Sequence, residues 1–182
     1  KSPARQEAAA VKESLGEAIG YTRSLMSDLR PDVLDEHDLK AAMEWIAQRM
    51  PKYGLKVIVH DDDEPKPLSE DMLGLVFQSV RELLWNVVKH AKTSHAIIIL
   101  ERPDGEVQIS VSDKGVGFDP ASRKGAPGDG GFGLFNIAER LDLSGGKMEI
   151  ESSRGRGTRV TLIIPIDHDR DQKTRHSDLP PV

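Results

Sequence analysis

The chain alternates between stretches with helical and with strand-like spacing of apolar positions. From about Ala4 to Leu29, Ala8, Val11, Leu15, Ile19, Leu25, Met26 and Leu29 form a narrow helical stripe that Arg30-Pro31 ends. A shorter helix is expected over about Asp38 to Met50, stopped by Pro51. "LKVIVH" (Leu55 to His60) alternates like a strand, and the acidic loop "DDDEPKP" follows it. Ser69 is an expected N-cap, with Glu70 and Asp71 in the first turn of a long helix. Two β-branched runs in "HAIIILERPDGEVQISVSD" flank Pro103-Asp104-Gly105 and spell a hairpin. "KGVGFDPASRKGAPGDGGFG" is too rich in glycine for regular structure. A helix over about Leu134 to Leu143, closed by Ser144-Gly145-Gly146, and a last hairpin ("KMEIES", "RGRG", "TRVTLIIPI") complete the pattern. Strands linked mostly by hairpins, mixed with two long helices, predict an α+β sandwich with helices on one face of a sheet.

The long helix divides unusually. On a wheel of roughly 100° per residue, Val76, Val80, Leu83, Leu84, Val87, Val88 and Ala91 share one arc. Glu82, Asn86, Lys89 and His90 share another. A solvated face is the plain explanation. Against it, Asn86 is a poor helix former set between apolar neighbours, and a carboxylate and an amide four residues apart are suited to one hard cation such as Mg²⁺.

Composition narrows the rest. The 182 residues are 37% hydrophobic and carry a formal net charge of -5, which argues against a dominant role on nucleic acid or anionic membrane. With no cysteine, disulfides and thiolate metal sites are excluded. No apolar run approaches the ~20 residues of a spanning helix. "KSPARQEAAA" has neither an initiating Met nor a signal-peptide core, so the chain reads as a piece of a longer protein, expected to be its cytoplasmic part, and any sensor or membrane segment would then lie upstream.

Two glycine-bearing stretches add chemistry. In "DKGVGF", Asp113 stands at a strand end as a fixed acceptor for an exocyclic amine, and Gly115 and Gly117 would let backbone approach a planar ligand; an ordinary turn is the alternative. "GDGGFGL" runs into a helix N-terminus, where backbone N–H groups bind phosphate; a flexible linker is the alternative. It is neither a P-loop nor a dinucleotide fingerprint.

Taken in order, these motifs resemble the ATP-binding domain shared by gyrase, MutL and sensor histidine kinases. "ELLWNVVKHAK" looks like the kinases' N box, "DKGVGF" like their first glycine box, and "GFGLFNIAERLDLSGGKMEIESSRGRGTRVTLIIP" like the second box and the closing strands. "SLMSDLRPDVLDEHDLKAAMEWIA" resembles the dimerisation-helix end and linker of the subclass that includes nitrate sensors and membrane thermosensors. The resemblance implies a Bergerat-type fold: a mixed, mostly antiparallel sheet covered on one face by helices and preceded by a helical stub. It implies residues 1–31 as the end of a dimerisation helix, 32–52 as a linker helix, 53–167 as the catalytic domain and 168–182 as a disordered tail. It implies ATP and Mg²⁺ as ligands, with Asn86 on the metal and Glu82 polarising an acceptor histidine. Lys89 and His90 would lie near the phosphates. Asp113 would accept from the adenine amine, Gly115 and Gly117 would line the base, and Thr158 would join the adenine's water network. Gly131, Gly133 and Leu134 would end a lid over about residues 119–130. Lys114 departs from the pattern, standing where an Asn is usual. The motif around His37 mimics a phosphoacceptor but lies after "LRP", so the acceptor is expected on a preceding helix. Implied partners are a response regulator with a helix-turn-helix output and a second copy through the upstream helices, with no direct nucleic-acid contact. The rival readings are an ATP-gated interaction module without catalysis, and an ATPase of the gyrase or MutL type or a serine-phosphorylating anti-sigma kinase.

Overall fold

The computed structural model describes residues 38–120 and 132–166. The expected helix over residues 4–29, His37, Gly131, most of the lid and the tail from 168 lie outside the described residues. Three helices, α1 (Leu39–Ala47), α2 (Glu70–Asn86) and α3 (Phe132–Leu143), accompany five strands. The strands are β1 (Lys56–Asp61), β2 (His95–Glu101), β3 (Glu106–Asp113), β4 (Lys147–Ser152) and β5 (Thr158–Pro165), arranged β1-β2-β3-β5-β4. β1 pairs parallel with β2, and every other pairing is antiparallel.

Alternation along the strands makes the sandwich. Ala96, Ile98 and Leu100, then Val107, Ile109 and Val111, then Val160, Leu162 and Ile164 all point to one face and are buried. Against them pack Leu73, Val76, Phe77, Val80, Leu83 and Leu84 of α2 and Ile137 and Leu141 of α3. Each such side chain contributes about 1.5–3 kcal/mol when fully buried, so this face decides the fold. The two-layer α+β architecture matches the expected one.

Local signals set the helix ends. Asp38 accepts from the Ala41 amide at 3.1 Å, and Ser69 Oγ accepts from the Met72 amide at 3.2 Å. After α3, the Gly146 amide donates back to Leu141 O at 2.8 Å, with Gly145 left-handed at φ 80°. Helix α3 begins two residues before the expected Leu134, and β1 runs one residue past the expected His60.

Two features depart further from the expectation. Helix α1 falls in the span read as a linker, yet Leu39, Ala42, Met43 and Ile46 belong to the same buried cluster as the sheet. The Tyr53 and Trp85 rings, 4.6 Å apart, fasten the turn after α1 to α2. The long helix is also not uniform. Its α-helical part ends at Asn86, and Val87–Ala91 form a π-helical turn closed by Lys92 in the left-handed region. Nothing in "VVKHA" demands this; the partner of the turn's last carbonyl lies elsewhere in the chain, as described next.

Candidate functional site

The end of α2, the turn after β3, the start of α3 and the start of β5 enclose a cavity of about 180 Å³. Leu83, Val87, Val111 and Val160 give it an apolar body, closed by Val116, Phe118 and Leu134. Its polar wall is Asn86, His90, Asp113 and Thr158. An apolar slot with a few fixed polar groups suits a flat, largely apolar ligand with a polar edge.

Two of these polar groups differ in how they are satisfied. Asn86 Nδ2 is buried without a hydrogen-bond partner among protein atoms. A buried amide left unsatisfied costs about 1–3 kcal/mol, so this side chain is poised for something brought to it. Asp113 is half-buried, and its Oδ1 accepts from the Gly115 amide at 2.7 Å. Burial raises its pKa above the ordinary carboxylate value, and the amides of Gly115 and Thr158 pull against that rise.

The first glycine stretch builds this wall differently from the expectation. Gly117 does line the cavity, with φ +57°. Gly115 does not. A Cβ there would stand 2.1 Å from Ala91 O, the last carbonyl of the π-helical turn. The adjacent Val116 amide donates to that same oxygen at 2.8 Å. The need for glycine at 115 is therefore the close passage of two backbones, which locks the end of α2 to the end of β3 and fixes Asn86 relative to Asp113.

The other expected residues divide. His90, Leu134 and Thr158 are on the cavity wall, whereas Lys89 is exposed and is not among the lining residues. Gly133 packs beside Glu82: a Cβ on Gly133 would meet Glu82 Oε1 at 2.5 Å. Glu82 is thus brought against the first turn of α3, outside the cavity lining. A residue the motifs did not point to is Ser152, whose hydroxyl bonds to Phe118, Gly157 and Thr158. Counting the β4–β5 hairpin would have placed it directly opposite Thr158.

A larger, more open depression of about 840 Å³ shares Asp113 and Thr158 with this cavity and is lined by Ser152 on its own side. Lys114, Arg156 and Arg159 lie along it. The smaller, less open cavity, with its unpartnered Asn86 Nδ2 and fixed carboxylate, is the stronger site. Among the described residues no group of three His, Asp or Glu side chains could hold a metal by itself. The unpartnered Asn86 Nδ2 is a donor and suits an acceptor atom of a ligand; the oxygen of the same amide is the one protein ligand that a Mg²⁺ keeping its waters would need.

Residues 72–168, just over half the chain, match the family described as histidine kinase-, DNA gyrase B-, and HSP90-like ATPase. An uncharacterized sensor-like histidine kinase of Chloroflexus aurantiacus is 37% identical over 150 residues, covering 80% of this chain and 25% of that protein. The oxygen sensor histidine kinase NreB of Staphylococcus carnosus is 34% identical over 149 residues, covering 81% of this chain and 42% of that protein. The chain thus spans less than half the length of either relative. Among solved structures, the histidine kinase AdeS of Acinetobacter baumannii superposes with a TM-score of 0.62 at 16% identity, over 87% of this chain and 85% of that one. A blue-light activated histidine kinase of Erythrobacter litoralis gives 0.59 at 20% identity, over 73% and 43%. At those identities the structures speak to the fold alone.

Proposed function

The chain belongs to the histidine kinase-, DNA gyrase B- and HSP90-like ATPase family, and from that premise we propose that it is the ATP-binding catalytic part of a sensor histidine kinase. It transfers the ATP γ-phosphoryl group to a histidine on an upstream dimerisation helix, for relay to a response regulator with a helix-turn-helix output. On this reading residues 1–31, which lie outside the described residues, belong to the dimerisation segment. No described helix is long and apolar enough to cross a membrane; the cytoplasmic location of the kinase part belongs to the proposed role, whose ATP and response regulator are cytoplasmic.

The observation that carries this reading is one cavity lined by both a fixed, half-buried carboxylate, Asp113, and a side-chain amide, Asn86, whose buried Nδ2 has no partner among protein atoms. Asp113 accepts from the adenine amine, the apolar walls sandwich the ring, and the phosphates point toward Asn86 and His90. Asn86 would hold Mg²⁺ through its amide oxygen, and the ion would supply charge neutralisation at the phosphates. Phosphoryl transfer is mostly a matter of positioning and charge neutralisation, so a scaffold of this kind suffices. Glu82 stands apart from the base and beside the lid-end helix, where an incoming acceptor imidazole would lie. Its carboxylate holds one imidazole N–H. The other ring nitrogen attacks the γ-phosphorus, the bond to the bridging oxygen breaks with ADP leaving with the electron pair, and the N–H proton passes to the Glu82 carboxylate.

Calorimetry tests the reading. Mg²⁺-dependent ATP binding by the wild type, weakened about 10-fold or more in Asn86→Ala with the fold intact, is the expected result. Equal affinity with and without Asn86 would remove it from the metal.

A further inference from the structure

Ser152 carries an inference that the motifs do not contain, and it rests on the nucleotide reading above. Three groups converge on its hydroxyl. The Phe118 amide donates to Ser152 Oγ at 2.9 Å, Gly157 O lies at 3.0 Å, and Thr158 Oγ1 lies at 2.9 Å. A serine hydroxyl has one hydrogen and two lone pairs. Gly157 O has no hydrogen to give, so the Ser152 hydrogen goes there. Both lone pairs are then filled, one by the Phe118 N–H and the other by the Thr158 hydroxyl hydrogen. The alternative, Ser152 donating to Thr158, leaves two oxygens 3.0 Å apart with no hydrogen between them. One arrangement satisfies all three contacts.

The consequence falls on Thr158. Its hydrogen is committed to Ser152, so toward the cavity it presents only lone pairs. Beside it stands Asp113, also an acceptor. We propose that Ser152 is a positioning residue for base specificity: it fixes the polarity of the Thr158 hydroxyl, so that this corner of the cavity accepts hydrogen bonds and never donates them. A purine with an exocyclic amine at C6 supplies donors to such a corner, directly or through water. A purine with a carbonyl there meets only acceptors. ATP and ITP differ at this position and in the hydrogen that inosine carries on N1, and form the probe pair, read through the change in their ratio between wild type and variant.

In Ser152→Ala the Thr158 hydroxyl is released and can turn its hydrogen toward a C6 carbonyl. The ATP-over-ITP affinity ratio should then fall about 3- to 10-fold, the worth of one ordinary hydrogen bond. ATP should weaken and ITP should hold or improve. Ser152→Thr, which keeps a hydroxyl, should restore the wild-type ratio. A purely bracing role for Ser152, through the Phe118 amide, would weaken both nucleotides by the same factor and leave the ratio unchanged. That result overturns the proposal. If Ser152→Ala does not fold, Ser152→Cys, with a weaker donor and acceptor of similar shape, is read by the same ratio. Failure of the parent reading looks different: the wild type itself would show no preference for ATP over ITP.

Discussion

Gly115 and Gly133 both belong to glycine-rich motifs, yet an alanine at each should act in opposite ways. At 115, the new Cβ meets the Ala91 carbonyl, with the oxygen at 2.1 Å and the carbon at 2.7 Å. Both are backbone atoms at the end of the π-helical turn and cannot swing aside. Relieving the clash separates the end of α2 from the end of β3 and breaks the Val116–Ala91 hydrogen bond of 2.8 Å. Overpacking of this kind costs about 1–3 kcal/mol and the lost bond about 1 more. A total of roughly 2–4 kcal/mol lowers Tm by about 6–16 °C for a domain of this size. ATP affinity falls with it, because Asn86 and Asp113 are held on the two parts being separated. At 133, the obstacle is Glu82 Oε1 at 2.5 Å, the far end of a side chain that can rotate. A helical Gly→Ala change there should be neutral or stabilising by about 0.5–1 kcal/mol. ATP binding should persist, while a displaced Glu82 carboxylate slows transfer to a histidine acceptor. Differential scanning calorimetry and ATP titration of both variants read this out. Equal destabilisation by the two alanines, or an unchanged Tm in Gly115→Ala, would refute the reasoning.

Three further outcomes follow from the same geometry. Asp113→Asn should reduce ATP affinity by about 10- to 150-fold, as loss of a hydrogen bond to a charged group costs about 1.5–3 kcal/mol; unchanged affinity by titration would contradict the base contact. Because burial raises the Asp113 pKa, the empty domain's contribution from this group is full below the ordinary Asp value and is lost as pH rises through the raised one. The stability difference between Asp113→Asn and wild type should therefore move in the variant's favour on going from about pH 3 toward neutrality, and a pH-independent difference in melting experiments would contradict it. Lys66, whose side chain is 5% exposed, pairs with Asp61 and Asp62; Lys66→Met should destabilise by about 1–3 kcal/mol near neutral pH through the abandoned carboxylates. For Asp62, burial alone would raise the pKa, but Lys66 and the amides of Arg102 and Glu64 lower it. Its contribution is thus present at neutral pH and lost as pH falls through the lowered value, so wild type and Lys66→Met should converge in acid denaturation curves.

Much of the fold is written locally. The N-caps Asp38 and Ser69, the Pro103-Asp104-Gly105 turn and the Gly145-Gly146 stop all act within a few residues of where they stand. The parallel β1–β2 pairing is not local: Lys56 meets His95 across the whole of α2, and no hairpin signal announces it. Helix α1 has its stripe at Leu39, Ala42, Met43 and Ile46, but a stripe shows that a face is covered and not by what. The site divides along the same line. Asn86 and Asp113 stand out through spacing and context, Thr158 only through the family resemblance, and the structure brings all three to one cavity. Gly115 was expected to open space for a ligand, whereas its role is set by a carbonyl 24 positions earlier in the chain. Ser152 is unremarkable in "IESSRG"; its three hydrogen bonds depend on strand register, which the pattern of apolar residues specifies only as to face.

The most direct test supplies the proposed upstream acceptor helix in trans, with γ-labelled ATP and Mg²⁺, and measures label on that helix's histidine. Wild type should transfer label, and Asn86→Ala should lose nucleotide binding and transfer together. Glu82→Gln should bind ATP nearly normally and transfer about 10²- to 10⁴-fold more slowly, the usual range for a positioned general base. Bound ATP with no label on the acceptor in the wild type, or full transfer in Glu82→Gln, would contradict the account.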